Sequence, residues 1–280
     1  MNNYSNITNT PELDDTPELD DTPEWVYLAV QWTWPTITQL IMAITGVIGN
    51  GLVICVYIDN RKMRSTTNGL LVGLAIADML TSVLLIPIPT WITVPSDWRG
   101  DLYCKLVYSS IMMWILIVAS VFTLTMVSVE RYLAISYPLE YRMVFSKSRP
   151  KIITILIWIC AVCINTFSFF ITFNQNGSCA VIWPSPTFQA VFGTFLFFVE
   201  YFIPMIIMIV THVGTIIGLR NHARELSQRN ESPNSPAYAL LTARRKVIEM
   251  LLIVVITFVI CWSPDQFAFL AFNLGFVPVR

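Results

Sequence analysis

Apolar residues fall in six long runs that are separated by short polar connections. Each run exceeds the roughly 20 residues that an α-helix needs to cross about 30 Å of hydrocarbon. Because a backbone in lipid must satisfy its own hydrogen bonds, such runs predict spanning helices. The predicted spans are residues 35–59, 67–93, 105–133, 152–173, 188–218 and 246–272. The pattern therefore predicts an all-α transmembrane fold that occupies residues 34–273.

The connections between the spans predict how the chain is oriented in the membrane. Lys and Arg concentrate in cytoplasmic loops, and the first, third and fifth connections carry nearly all of them here. The outer connections hold only Arg99 and Lys105. Residues 1–33, rich in Pro, Asp and Glu before residue 25, predict a disordered acidic tail. We therefore expect a multi-pass protein of the plasma membrane with its amino terminus outside the cell.

The predicted outer side also carries sites for covalent modification. Glycosylation sequons begin at Asn3, Asn6 and Asn176, all in segments expected to be extracellular. Among the six cysteines, Cys104 and Cys179 are the two that lie in polar segments, whereas the others fall in apolar runs. The extracellular side is oxidising, so we predict a disulfide between them. It would tie the outer end of the third span to the fourth connection.

Composition excludes several classes of function. Hydrophobic residues make up 55% of the chain and charged residues 12%, about half the charged share of a soluble domain. No cluster of Ser, His and Asp or of metal ligands occurs in the sequence, and the only histidines are His212 and His222, so we do not expect an enzyme. A channel or transporter would show polar stripes or broken repeat helices, and none is visible. No nucleic-acid partner is expected.

Charged residues inside the predicted spans are costly in lipid and mark functional positions. Asp78 lies in the middle of the second span, either as a structural acid or as an ion or proton site. Glu130 and Arg131 end the third span at the inner face. This adjacent pair can neutralise itself or separate, which makes it a candidate two-state element, although a simple interfacial anchor is the alternative.

The last span combines a proline with aromatic and polar residues. Pro264 removes a backbone hydrogen bond and is expected to bend the helix. Trp262, Gln266 and Phe269 share one helical face by their spacing, with Asp265 beside it. A bulky ring at a kink can transmit motion from an outer cavity to the inner end. Ordinary core packing around a kink is the alternative.

Several short motifs occur in order on successive spans. They are Gly49-Asn50, Leu74-Ala75-Ile76-Ala77-Asp78, Glu130-Arg131-Tyr132 followed by Pro138-Leu139, Trp158, Pro204, and Phe258 with Cys261-Trp262-Ser263-Pro264. Taken together, this set resembles the rhodopsin-like (class A) G protein-coupled receptors, and residues 35–272 carry the resemblance. The family has a bundle of seven transmembrane helices, of which this sequence shows six. Residues 274–280 are expected to lead towards a missing seventh helix.

The resemblance implies a receptor that couples an extracellular ligand to a heterotrimeric G protein. Arg131 would contact the G protein in the active state. The residues implied in coupling and switching are Glu130, Arg131, Tyr132, Pro138, Pro204, Phe258 and Trp262. Asp78 with Ser120 would hold a sodium ion that favours the inactive state, and no other cofactor is implied.

The chain departs from the family pattern at three places. The seventh helix with its NPxxY motif is absent from the sequence, so a truncated, non-signalling receptor fragment is an alternative function. His212 stands where the family usually has a tyrosine after the fifth-helix proline. Cys104 also lies further from Arg131 than is usual.

The candidate ligand site favours a peptide. Amine receptors resemble one another in an aspartate at the position that Met113 occupies here. Glu200 and Asp265 would suit a basic or amidated peptide, and the connection at 61–68 resembles those of neuropeptide receptors. The predicted ligand-binding residues are Met113, Ile117, Glu200, Trp262, Asp265, Gln266 and Phe269. Open alternatives are a non-peptide ligand, retinal bound to a lysine of a seventh helix, and a structural role for Glu200.

Overall fold

The computed structural model describes residues 25–59, 66–145, 149–228 and 235–276, most of which are helical. The helices are α1 (Trp34–Asp59), α2 (Thr66–Leu84), α3 (Trp98–Tyr103), α4 (Ile111–Ser136), α5 (Pro138–Val144), α6 (Arg149–Asn165), α7 (Phe167–Ile171), α8 (Pro186–Leu196), α9 (Ile203–Gln228) and α10 (Pro236–Asn273). Two π-helical turns, Cys104–Tyr108 and Phe197–Phe202, join α3 towards α4 and α8 to α9. Four short strands, β1 (Val26–Leu28), β2 (Thr90–Thr93), β3 (Thr172–Gln175) and β4 (Ser178–Val181), lie in the connections. The predicted helical transmembrane fold is confirmed, with two small sheets added.

Five helical stretches of the described chain are long and apolar enough to cross a membrane. They are Trp34–Asp59, Trp98–Ser136, Arg149–Ile171, Pro186–Leu226 and Ala237–Asn273. These five match predicted spans, although each begins before its predicted limit. The last helix starts at Pro236 because Ser235 caps it, accepting a hydrogen bond from the backbone of Tyr238 at 3.4 Å.

The predicted second span is wrong at its outer end. Helix α2 stops at Leu84, and its apolar part, Gly69–Leu84, is shorter than the other spans. Pro87 and Pro89 follow, and prolines offer no backbone donor and push the preceding residue out of the helical region. The chain therefore leaves the helix and forms β2 by residue 90.

The tail predicted to be disordered is ordered where it meets the first helix. Strand β1 pairs antiparallel with β2, with Val26 opposite Thr93 and Leu28 opposite Thr90. The ring of Trp25 packs edge-on against Trp91 at 5.1 Å between centroids. Strand-favouring side chains and aromatic packing outweigh the acidic composition here. The predicted sequons at Asn3 and Asn6 and the connection at 61–65 lie outside the described residues.

A hairpin of β3 and β4 forms the fourth connection. Its turn holds Asn176 and Gly177 at φ values of 51° and 88°, the left-handed conformation that an Asn-Gly hairpin turn requires. The sequon at Asn176 therefore lies at the tip of this hairpin. The disulfide between Cys104 and Cys179 is confirmed, with 5.3 Å between the Cα atoms, and it fastens β4 to the outer end of the third span.

The third span is interrupted rather than continuous. A π-helical turn begins at Cys104, and Ser110 takes a left-handed conformation with φ of 52° before α4 starts. A π turn takes up more residues per turn than an α turn. The unusually long separation of Cys104 from Arg131 is absorbed by this interruption.

Helix α4 runs through the centre of the bundle and packs against α2, α6 and α9. Its buried positions include Val118, Ala119 and Val127, which lie in the apolar clusters of the core. Gly214 of α9 faces Tyr132 of α4 so closely that an added Cβ would overlap the tyrosine ring. Small residues at such crossings let two membrane helices approach. This contact fixes the inner end of α4 beside α9.

Candidate functional site

The inner end of α4 holds the predicted charged pair in a closed arrangement. Arg131 Nε lies 3.9 Å from Glu130 Oε2, and the Glu130 side chain is 1% exposed against 25% for Arg131. The hydroxyl of Tyr141, on helix α5, donates a hydrogen bond to Glu130 Oε1 at 3.2 Å. The glutamate is thus shared between its neighbour in sequence and a helix of the next connection.

Helix α5 is positioned by its first residue. Pro138 occupies the first turn, where its missing backbone donor and fixed φ favour a helix start. The ring of Tyr141 also stacks on Phe145 at 5.5 Å, and this holds its hydroxyl towards Glu130. Sequence reasoning singled out Pro138 but missed Tyr141.

A cavity of about 460 Å³ lies at the inner ends of α4 and α9. Tyr132, Tyr137 and His222 are among its lining residues. Tyr132 packs edge-on against Tyr137 at 5.6 Å, and His222 Nε2 lies 3.1 Å from the Ile135 carbonyl oxygen. Arg131 is therefore adjacent in sequence to a residue that lines this cavity.

An aromatic column connects the π turn before α9 with the part of α10 near Pro264. Trp262 lies 6.5 Å from Phe258, which lies 6.1 Å from Tyr201. The Tyr201 and Ser263 hydroxyls are hydrogen-bonded to each other, and Tyr201 is fully buried. The predicted residues Phe258 and Trp262 are thus in contact, and Pro264 lies inside α10 just after them. Sequence reasoning missed Tyr201, whose buried hydroxyl couples the two helices.

Pro204 is the second residue of α9 and follows the π-helical turn that joins α8 to α9. A proline cannot donate to the carbonyl four residues earlier, which belongs to Glu200, so a regular helix is disrupted here. The backbone before the proline forms the π turn Phe197–Phe202, and π turns are common at functional sites. This turn carries both Glu200 and Tyr201.

A cavity of about 150 Å³ lies on the outer side of the aromatic column. Three of the predicted ligand residues line it: Glu200, Gln266 and Phe269. Trp114, Asn165 and Phe167 are also in its wall. Glu200 Oε1 is buried, and no described residue gives it a hydrogen bond. A buried carboxylate oxygen without a partner is costly, and this makes it a strong acceptor for a ligand donor.

Four predicted ligand residues do not line this cavity: Met113, Ile117, Trp262 and Asp265. Neighbours in a helix point about 100° apart, so Trp114 faces the cavity in place of Met113. Asp265 is exposed for the same reason, and Gln266 Nε2 reaches its carboxylate at 3.5 Å. Trp262 still contacts the cavity wall through Trp114, at 6.4 Å between rings.

The predicted sodium site is represented by two adjoining side chains. The Ser120 hydroxyl donates a hydrogen bond to Asp78 Oδ1, and both residues are half-buried between α2 and α4. One carboxylate and one hydroxyl suit a hard cation that prefers oxygen ligands. Within the described ranges, no three His, Cys, Asp or Glu side chains come together as a metal site.

The sequence of this chain is similar to a receptor family and to several individual receptors. Residues 49–276 match the family model described as "7 transmembrane receptor (rhodopsin family)". The chain is 31% identical over 255 residues to the tachykinin-like peptides receptor 86C of Drosophila melanogaster, covering 85% of this chain and 48% of that receptor. It is 27% identical to neuropeptide Y receptor type 6 of Mus musculus, covering 81% of this chain and 64% of that receptor. It is 28% identical to the substance-P receptor of Mus musculus, with 86% and 60% covered. The chain thus spans less than two thirds of these relatives.

Proposed function

This chain belongs to the rhodopsin family of seven-transmembrane receptors, and from this membership we propose that it transmits an extracellular peptide signal to a cytoplasmic G protein. The names of the three relatives each refer to a peptide: tachykinin-like peptides, neuropeptide Y and substance P. The observation that carries the proposal is a continuous set of contacts. It leads from the outer cavity through Trp114 of α4 to the aromatic column, and the charged pair lies at the inner end of α4.

The outer cavity is where the ligand binds in this proposal. A volume of about 150 Å³ admits one terminal group or side chain of a peptide rather than a whole peptide. Glu200 would pair with a cationic or amide donor on that group, because its Oε1 lacks a partner among the described residues. The remainder of the peptide would rest on the two small sheets above, β1–β2 and β3–β4. Specificity then comes chiefly from the inserted end.

Transmission starts at the tryptophan pair. A ligand that displaces Trp114 acts on Trp262, and through Phe258 on Tyr201. Since Pro264 weakens the backbone of α10 at this height, the inner half of the helix can swing about the kink. The hydrogen bond between Tyr201 and Ser263 joins that movement to α9.

Activation would open the charged pair at the inner end. Glu130 holds Arg131 at 3.9 Å in the arrangement described here, so we assign it to the inactive state. In the active state Arg131 leaves Glu130 and meets the G protein in the inner cavity. Ligand and G protein then bias one equilibrium, and each raises the affinity of the receptor for the other.

A sodium ion would favour the inactive state. Asp78 and Ser120 would hold it, since their oxygens already converge between α2 and α4. The ion would supply positive charge beside the Asp78 carboxylate. This part of the proposal rests on the family resemblance and the donor chemistry of the two side chains.

We place the receptor in the plasma membrane with its amino terminus outside. The disulfide of Cys104 and Cys179 requires an oxidising compartment, and the hairpin that it fastens carries the sequon at Asn176. The basic third and fifth connections lie at the opposite ends of the spans. The members of the pair Glu130 and Arg131 therefore lie on the cytoplasmic side.

The proposal is tested by G-protein activation in cells that express the receptor. A panel of basic, carboxyl-amidated peptides is compared with the same peptides bearing a free carboxylate. We expect at least one amidated peptide to activate a G protein, and its free acid to be weaker because Glu200 repels it. A panel without any active peptide, together with activation by a small neutral ligand, would replace the peptide part of the proposal.

A further inference from the structure

A groove between α9 and α10 lies apart from the proposed ligand cavity and the aromatic column. Its volume is about 240 Å³. Its wall is aliphatic except for a single histidine, His212. Ile209 and Val213 contribute from α9, and Val255, Ile256 and Ile260 contribute from α10. The groove therefore offers one polar group to an otherwise apolar occupant.

The mouth of this groove faces the lipid. Val213 is 52% exposed and Ile260 is 67% exposed, although both belong to helices that cross the membrane. Apolar side chains that are exposed on a spanning helix contact hydrocarbon. His212 lies about 12 Å along the helix from Arg220, at 1.5 Å per residue, so the groove is within the bilayer rather than at its surface. An occupant would arrive from the membrane.

His212 is buried at the floor of the groove without a defined partner. Its residue exposure is 3%, and no side chain of the described residues is hydrogen-bonded to either ring nitrogen. The main chain at Leu251 can form a hydrogen bond with one of the two nitrogens at most. At least one nitrogen is therefore left for another partner, and a buried polar atom without one is costly.

The missing partner is not expected to be a water molecule or a lipid tail. A buried water needs two to four polar partners, and among the described residues His212 is the only polar side chain that lines the groove. An acyl chain fills the apolar space but leaves the ring nitrogen unsatisfied. A hydroxyl group both donates and accepts, so it serves either tautomer of the imidazole. No described charged side chain lines the groove, which disfavours an ionic head group.

We propose that this groove binds a neutral, membrane-dissolved alcohol. The hydroxyl of the alcohol is hydrogen-bonded to His212, and its hydrocarbon body lies against Val213, Val255 and Ile256. The site lies apart from the peptide cavity. It stands even if the ligand of the receptor is not a peptide.

The test is photolabelling of the receptor in lipid nanodiscs with a long-chain primary alcohol that bears a diazirine. Labelled peptides are identified by mass spectrometry, and dodecanol and dodecane are compared as competitors on the unchanged protein. We expect labels on the α9 and α10 residues of the groove, and we expect dodecanol but not dodecane to remove them. Equal competition by dodecane, or labels elsewhere only, would overturn the proposal in favour of a lipid tail.

Variants separate the hydrogen bond from the shape of the groove. His212→Leu should lower labelling about threefold to tenfold, as one lost hydrogen bond implies, whereas His212→Gln should retain it. Ile256→Phe should also lower labelling because it fills the groove. Ile155→Phe, at a lipid-facing position of α6 that is 58% exposed, is the control and should change nothing. Undiminished labelling of a folded His212→Leu protein would contradict the proposed role of His212.

Discussion

Tyr141 of helix α5 donates a hydrogen bond to the buried carboxylate of Glu130, the residue that pairs with Arg131. The connection after α4 thereby takes part in holding the charged pair closed. In the proposed mechanism this hydrogen bond belongs to the inactive state. When Arg131 leaves Glu130 on activation, the glutamate is no longer held where Tyr141 can reach it. In the proposed mechanism, the contact therefore connects the loop after α4 with the pair whose arginine would bind the G protein.

Loss of this hydrogen bond should raise basal signalling. Tyr141→Phe keeps the ring that stacks on Phe145 and removes only the hydroxyl. A hydrogen bond to a charged group is worth about 1.5–3 kcal/mol, so the basal equilibrium should move towards the active state by about tenfold or more. Ligand-independent G-protein activation, normalised to surface expression, measures the effect. Tyr108→Phe, on the outer π turn, is the matched control, and an unchanged basal signal in Tyr141→Phe would remove Tyr141 from the switch.

Glu200 lines the outer cavity and Asp265 does not, so the two acids should differ in their effect on peptide binding. Glu200→Gln should weaken a basic peptide at least about tenfold, or 1.4 kcal/mol, because the charge facing the cavity is lost. Asp265→Asn should have little effect, since this side chain is exposed outside the cavity wall. Competition binding with one radiolabelled peptide measures both. A larger loss from Asp265→Asn than from Glu200→Gln would show that the peptide binds elsewhere.

Sequence reasoning treated these two acids alike, and the structure separates them. It located five of the six spans because lipid enforces long apolar runs, although it extended the second span too far, and it found the disulfide because only Cys104 and Cys179 lie in polar segments. It did not foresee the π turns, which depend on how Pro204 and the start of α4 are accommodated in three dimensions. A shift of one residue in helical phase decides whether Met113 or Trp114 meets the cavity, and spacing alone does not give that phase.

Strands β1 and β2 were missed for a related reason. Each has only three or four residues, and their pairing joins segments far apart in the chain. No local sequence pattern predicts the pairing of these two strands. The aromatic side chains that stabilise it, Trp25 and Trp91, are also common at membrane interfaces, so their presence alone predicts no strand.

The close approach of α4 and α9 predicts that two glycine-to-alanine substitutions differ in their effect on the stability of the protein. Gly214→Ala would place a methyl group in the ring of Tyr132, and such overpacking costs about 1–3 kcal/mol. Gly51→Ala, in α1, meets nothing within 4 Å and should be neutral or stabilising, because alanine favours a helix. Thermal unfolding in detergent should show a lower Tm for the first variant only. Equal melting of both variants would contradict the described contact.

The orientation of the chain can be read from one sequon. Ser178→Ala removes the glycosylation signal of the β3–β4 hairpin while leaving Asn176 in its left-handed turn. We expect the wild-type protein to carry a glycan at Asn176 and the Ser178→Ala variant to lack it. The wild-type protein should then migrate more slowly in a gel than the variant, and glycosidase treatment should remove that difference. Proteolytic mapping by mass spectrometry then locates the glycan. A cytoplasmic, protease-protected hairpin that is never modified would reverse the predicted topology.

The central claim is that Arg131 passes the signal from the bundle to a G protein. Arg131→Ala removes the guanidinium but leaves the outer cavity and the aromatic column unchanged. The deciding measurement is G-protein activation by a saturating agonist, taken together with agonist binding, in the same cells. We expect activation to be abolished and binding to persist. Full activation by the Arg131→Ala receptor would contradict the proposed mechanism.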